Sequence, residues 1–172
     1  MAKIVVGVCG SVAAVRVPEL VRELKRRGHE VEVVMSYAAH DILNEMVLEW
    51  ASERPVVTEI TGAVEHVKSC GVGGDADLLL ICPATSNTIS KIACGIDDTP
   101  VTTYATTALG AKKPVLICPA MHESMYKNPF VSENIAKLKK AGIKFVGPRM
   151  EEKKAKIASE EEIIKAIEKE LK

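Results

Sequence analysis

The sequence predicts an α/β protein built on a doubly wound parallel sheet, three layers deep as αβα, and three observations carry that prediction. Short β-branched runs with few polar positions recur along the chain, as strands covered on both faces require; the first, Lys3–Cys9, reads K-I-V-V-G-V-C. Segments with apolar residues at helical spacing fill the gaps between those runs. Strands alternating with helices in a chain of 172 residues suit one parallel sheet with helices on both sides.

The elements follow in order. Gly10 and Ser11 break the first run. Val17, Leu20, Val21 and Leu24 then share a helix face, and Gly28 supplies the left-handed residue that ends such a helix. Val31–Met35 is the second strand, Asp77–Cys82 the third, Pro114–Cys118 the fourth and Ile143–Val146 a short last one. Ser86–Cys94 places Ile89, Ile92 and Ala93 on one face before Gly95. Pro129 opens a helix with Val131, Ile135 and Leu138 inward and Gly142 at its end. Ser159 and Glu162 form a capping box ahead of Ile163, Ile164, Ile167 and Leu171. No repeat or linker interrupts the series, so residues 1–172 are expected to form a single domain. Gly71–Asp75 and Arg149–Lys156 are the loosest stretches, and the second, densely charged, is expected to be a mobile flap.

Charge and cysteine usage narrow the partners. Lys and Arg number 23 against 23 Asp and Glu, which removes the general electrostatic drive toward nucleic acid or an anionic membrane. The longest strictly apolar run, Leu78–Cys82, is far short of the ~18 residues that span a bilayer. No leader peptide is expected, because Lys3 runs straight into a strand pattern. The five cysteines are odd in number and show no Cys-x-x-Cys or Cys/His metal spacing; Cys9, Cys82 and Cys118 end apolar runs, where a thiol behaves as a small buried hydrophobe. The expectation is a reduced cytoplasmic protein with no metal, nucleic acid or membrane partner.

Doubly wound sheets bind ligands beyond the carboxyl ends of their strands, and four of those ends are chemically unusual here. The first runs G-V-C-G-S-V-A-A from Gly7 to Ala14, where the small residues Gly10, Ser11 and Val12 let the backbone approach a phosphate ahead of a helix. The same turn also serves any α/β domain that must merely turn. It is not Gly-x-Gly-x-x-Gly, and the second strand ends Met35-Ser36 with no acid for a ribose 2′-hydroxyl, which favours the mononucleotide FMN over NAD. The third end, Ala84-Thr85-Ser86-Asn87-Thr88, needs only Ser86 or Asn87 as a helix cap; four polar residues in a row predict a wall of hydrogen-bonding groups. The fourth runs Cys118-Pro119-Ala120-Met121-His122-Glu123-Ser124-Met125-Tyr126, and its Cys-Pro-Ala, repeated from Cys82, implies two equivalent turns flanking one crevice. His29 and His40 are expected to be solvated. His66, in Gly62-Ala63-Val64-Glu65-His66, and His122 at the crevice are the candidates for chemistry. For His66 a capping or interface role stands beside the catalytic one.

At these residues the chain resembles the homo-oligomeric flavin-containing cysteine decarboxylases, most of all the branch acting on phosphopantothenoylcysteine. The segments that carry the resemblance are Gly10-Ser11-Val12-Ala13-Ala14, Val64-Glu65-His66-Val67, Pro83-Ala84-Thr85-Ser86-Asn87-Thr88 and Pro119-Ala120-Met121-His122-Glu123-Ser124-Met125-Tyr126. The resemblance implies a flavodoxin-like, Rossmann-like subunit assembled as a trimer or as a dodecamer of four trimers, with FMN at the subunit interface. It implies FMN contacts from Gly10, Ser11, Val12, Ser36, Ala84, Thr85, Ser86, Asn87, Thr88 and Met121. It implies His66 and His122 as the catalytic histidines, with His122, Met125 and Tyr126 against the substrate. The implied reaction takes 4′-phospho-N-pantothenoylcysteine to 4′-phosphopantetheine: FMN oxidises the cysteine end to a thioaldehyde, whose C=S accepts electrons as CO2 leaves, and reduced FMN returns the two electrons to the resulting enethiol. The chain departs from the family at His122, where an Asn is usual, at Tyr126, where a Trp is usual, and in having no cysteine after Cys118. Those departures leave a second reading, an FMN redox protein or reductase of the same fold acting, for example, on a pterin. A flavin prenyltransferase is disfavoured, since Ala84–Thr88 lacks the Ser-Met-Lys-Thr-like segment of that fold.

Overall fold

The computed structural model describes residues 1–172. Along the chain, β1 (Lys3–Val8) leads through a 3-10 turn into α1 (Val17–Arg26), β2 (Glu30–Met35) and α2 (Glu45–Ser52). The short α3 (Glu65–Cys70) precedes β3 (Leu78–Ala84), and α4 (Ser86–Cys94) is followed directly by α5 (Pro100–Gly110). Then come β4 (Val115–Pro119), β5 (Met121–His122), α6 (Glu123–Tyr126), α7 (Pro129–Lys140), β6 (Lys144–Phe145), β7 (Arg149–Glu151), β8 (Lys154–Lys156) and α8 (Glu160–Glu170).

Five strands form a parallel sheet in the order β2-β1-β3-β4-β6. This is the flavodoxin-like doubly wound arrangement, whose order reverses between β1 and β3 and opens a crevice there. Helix ends follow the local chemistry: Gly28, Gly95 and Gly142 take positive φ where α1, α4 and α7 stop. Ser159 and Glu162 close a reciprocal capping box on α8.

Side chains on the two faces of the sheet form two apolar clusters. Ile4, Val6, Val33, Leu80 and Leu116 pack with α1 and α8 on one face; Val5, Val34, Leu79, Ile81 and Ile117 pack with α4, α5 and α7 on the other. Gly7 lies where α5 crosses β1, and a Cβ there would meet Val101 at 3.0 Å. No helix is long and apolar enough to cross a membrane.

Several expectations need correction. Arg149–Lys156 is a hairpin rather than an irregular stretch: β7 and β8 pair antiparallel, and β8 pairs onward with β5 through Met121–Ala155 and His122–Lys154. Backbone ladder bonds hold it despite its polar side chains, and Glu152 and Lys153 take the positive φ that the tight turn needs. The cap of α4 is Thr85, whose hydroxyl accepts from Thr88 N–H, rather than Ser86 or Asn87. His29 is half-buried with Nδ1 enclosed and unpartnered, and His40 Nδ1 lies 3.2 Å from the Glu45 carboxylate, so neither is simply solvated. β3 runs through Ala84 straight into α4, whereas β4 ends at Pro119 and passes into β5, so the two Cys-Pro-Ala turns are not equivalent. Helices α2 and α5 carry no clear period in the sequence, α5 because it is buried along most of its length.

Candidate active site at the strand ends

The carboxyl ends of the strands are stitched into one rim. Gly10 sits against the turn after β2, and a Cβ on it would lie 2.7 Å from Ala38 Cβ and 2.8 Å from Ala38 O, so only glycine fits. Ser36 N–H donates to Val8 O at 2.9 Å, Cys9 N–H to Pro83 O at 3.2 Å and Ala120 N–H to Ala84 O at 3.0 Å. The loops bearing Ser36, Gly10–Val12, Ala84–Thr88 and Met121–His122 are therefore consecutive along the crevice.

Some of their polar groups are used by the fold and others are not. Ser11 caps the 3-10 turn that follows it, its Oγ accepting weakly from Ala13 N–H at 3.4 Å. Thr85 and Thr88 bond to each other at 3.2 Å. Ser36 is buried and makes no side-chain cap, Ser86 is half-buried and Asn87 exposed, and none of these three side chains is spent on a hydrogen bond within the fold. The Cys9 thiol, fully enclosed beneath the rim, is pushed up to about 11 by burial against the opposing pull of bonds from Thr88 and Thr85. Cys82 is raised by its hydrogen bond to Cys118 and by burial. Neither is a thiolate near neutral pH, so neither is a nucleophile.

Beside the rim lies a cleft of about 610 Å³ between the turn after β1 and the β7–β8 hairpin. Ser11, Val12, Met121 and His122 line it, together with Arg16, Arg149, Lys154 and Lys156. Arg149 is held by Ile157 O and Glu151, and Lys156 by Glu151 and Glu152, while Arg16 and Lys154 have no carboxylate partner. A smaller cavity of about 390 Å³ adjoins it, sharing Val15, Arg16 and Ile157, with Cys82 in its wall. The hairpin cations escape a sequence reading because only the pairing of β8 with β5 brings them to the crevice.

The remaining candidates lie outside that cleft. Met125 is exposed on α6; Tyr126 is half-buried against the second apolar cluster, its phenol raised by burial. His66 stands on α3, its ring edge-on to Tyr104 at 6.4 Å, with Nδ1 buried and unpartnered. Within one chain, His66 and His122 do not meet across the cleft.

The residues fit FMN in kind. The close-packed glycine turn, unspent hydroxyls at Ser36 and Ser86, the Asn87 amide and two free cations match a phosphate, a polyol chain and a heteroaromatic edge. No acid follows β2 to claim a ribose. The fold and this crevice define a class, and comparison with known proteins agrees. The chain belongs to the Flavoprotein family, whose model matches residues 1–172. It is 58% identical over 163 residues to the coenzyme A biosynthesis bifunctional protein CoaBC of Thermococcus kodakarensis, covering 94% of this chain and 40% of that protein. The chain thus spans about 40% of the length of the CoaBC proteins of T. kodakarensis and Methanocaldococcus jannaschii. It is 35% identical over 152 residues to a probable phosphopantothenoylcysteine decarboxylase of Streptococcus mutans, covering 86% of this chain and 83% of that one. Among solved structures, the FMN-dependent cysteine decarboxylase SpaF superposes with a TM-score of 0.86 at 29% identity, over 99% of this chain and 95% of its own. A PPC decarboxylase C175S mutant complexed with pantothenoylaminoethenethiol shares the fold, with a TM-score of 0.82 at 24% identity over 97% and 96% of the two chains.

Proposed function

We propose that this chain is an FMN-dependent carboxy-lyase that converts 4′-phospho-N-pantothenoylcysteine to 4′-phosphopantetheine in coenzyme A biosynthesis. The observation that carries the reading is the continuous rim of strand-end loops, with unspent polar groups at Ser36, Ser86 and Asn87, beside a cleft with free cations. The printed functions of the relatives point the same way. Gly10, Ser11, Val12, Ser36, Ala84–Thr88 and Met121 hold the cofactor. The chemistry bound FMN would supply is two-electron oxidation of the substrate's cysteine end, which gives the carboxylate the neighbouring π-acceptor that loss of CO2 requires, and return of the two electrons once CO2 has left.

The chain's own residues bind and move protons around that step. His122 donates a hydrogen bond to the substrate carboxylate, Met125 and Tyr126 flank the substrate, and Arg16 and Lys154 suit a phosphate. His66 accepts the proton released at the cysteine end through Nε2, the ring nitrogen that is not enclosed. Because His66 lies outside the cleft of its own chain, beside the exposed Val64 and Val67, a second subunit completes the site. The protein is a homo-oligomer, a trimer or a dodecamer of four trimers. Residues 1–172 act as one flavoprotein domain, and five free cysteines suit the cytoplasm.

The test is anaerobic incubation of the purified yellow protein with the substrate, following CO2 and product mass. His66→Asn should keep FMN and oligomer size and lose at least about a hundredfold in rate, the scale of a general base. An intact, flavin-loaded mutant within about tenfold of wild type removes His66 as the base. The hairpin has no cysteine to act as an acid, which favours one second reading, an FMN reductase of this fold acting, for example, on a pterin. Absence of any CO2, with reduction of such an acceptor, would establish that reading instead.

A further inference from the structure

A cluster of charged and polar side chains sits under α3, well away from the cleft. Glu32, in the middle of β2, points to the same face as Val34. Its Oε2 lies 2.9 Å from Lys3 Nζ and accepts from Ser69 Oγ at 2.7 Å. Its Oε1 accepts from Tyr104 Oη at 2.7 Å. Lys3 Nζ also reaches Asp75 at 2.7 Å and Ser69 Oγ at 3.3 Å. The Glu32 and Lys3 side chains are only 14% and 12% exposed, and Tyr104 is wholly buried.

Such a cluster is a poor source of net stability. Desolvating the carboxylate and the ammonium offsets most of their attraction, and apolar residues of similar shape commonly do as well or better. What it does supply is position. Of α3 only Ser69 and Cys70 are buried, while Val64, Val67 and Val72 around it are exposed, so apolar packing alone holds this segment weakly. Ser69 and Asp75 tie both ends of its closing turn to Glu32 and Lys3. His66 and Ser69 are three residues apart on one helix face, so the anchor at Ser69 also sets the height and rotation of His66. From the other side, the Tyr104 ring, fixed at its hydroxyl by Glu32, meets the imidazole edge-on at 6.4 Å and 65°. An active-site imidazole is ordinarily oriented by a hydrogen bond to its second nitrogen. Here that nitrogen, Nδ1, is buried with no partner, and orientation falls to these contacts.

We propose that Glu32, acting through Tyr104 and Ser69, is the positioning residue for His66. Burial and the bond to the Glu32 carboxylate raise the Tyr104 phenol far above its ordinary value, so it stays a donor across the working pH range. The inference rests on the reading of His66 as the base.

The experiment uses flavin-loaded oligomer and compares Tyr104→Phe, Ser69→Ala, Glu32→Leu and Glu32→Gln. Tyr104→Phe and Glu32→Leu should lower kcat by about tenfold or more with KM within about twofold, since misplacement of a catalytic group acts on the reacting geometry. Glu32→Gln keeps its one carbonyl oxygen to accept from Tyr104 Oη, while its amide N–H donates to Ser69 Oγ, and it should stay within about threefold of wild type. The His66 ring resonance in a carbon–proton correlation spectrum, recorded without substrate, should move in the first two and not in Glu32→Gln. A folded Tyr104→Phe protein with kcat within about threefold and an unmoved His66 resonance overturns the proposal. If Glu32→Leu fails to fold, Tyr104→Phe and Ser69→Ala each remove one bond to Glu32 and carry the same decision. Wild-type protein that releases no CO2 defeats the proposed reaction, whereas the substrate-free resonance still decides the positioning.

Discussion

β2 shows the two faces of the sheet side by side. On one, Val31, Val33 and Met35 enter a cluster made wholly of apolar side chains with α1 and α8. On the other, Glu32 faces Lys3, Ser69 and Tyr104 under α3. The first face removes apolar area from water without directional demands, so it supplies stability and tolerates small shifts. The second is directional, because each bond has a length and an angle, so it selects one placement of α3 at little net gain in stability.

That contrast can be broken at three levels. Leu80→Ala, at a fully buried position of the central strand on the apolar face, should cost about 2–5 kcal/mol in urea unfolding, with the largest loss of stability of the three. A similar loss from the triple variant Glu32→Leu, Tyr104→Phe, Ser69→Ala would abolish the distinction between the faces. That variant should unfold within about 1 kcal/mol of wild type, since Lys3 keeps Asp75 and no buried hydroxyl is left without an acceptor, while losing the His66 placement. The smallest effect is on thiol chemistry. Cys82 and Cys118 lie in the first cluster, Cys9 and Cys70 in the second, and Cys94 is exposed. Burial pushes Cys9 up to about 11 and Cys70 up to about 12, so at pH 8 both are thiols. Iodoacetamide should then label Cys94 alone in the native protein, as read by peptide mass spectrometry. Labelling of Cys70 ahead of Cys82 would show that the polar face opens more readily than the apolar one.

Much of the architecture is legible in local sequence, and the reasons are local. The β-branched runs of β1, β3 and β4 need cover on both sides, and the glycines after α1, α4 and α7 take a backbone conformation that other residues resist. The Ser159–Glu162 box is complete within four residues. Helix α5 is not legible in this way. Its Thr-rich sequence is enclosed by the sheet and neighbouring helices, so no polar stripe marks its period. The hairpin was hidden for the opposite reason: its side chains are charged, and its regular structure comes from backbone bonds to β5, thirty-two or more residues away.

The candidate site divides along the same line. Gly10, Ser11, Ser36, the Ala84–Thr88 loop and the Met121–Tyr126 segment announce themselves because strand ends in a doubly wound sheet must converge, whatever the side chains do. Residue type and spacing along a few turns determine that much. Which cations line the cleft, that Glu32 finds Tyr104 seventy-two residues away, and that His66 lies outside its own chain's cleft were decided only by the tertiary structure. Those pairings depend on how helices cross the sheet and where strands pair, distances that close between groups remote in sequence and leave no periodic trace in it.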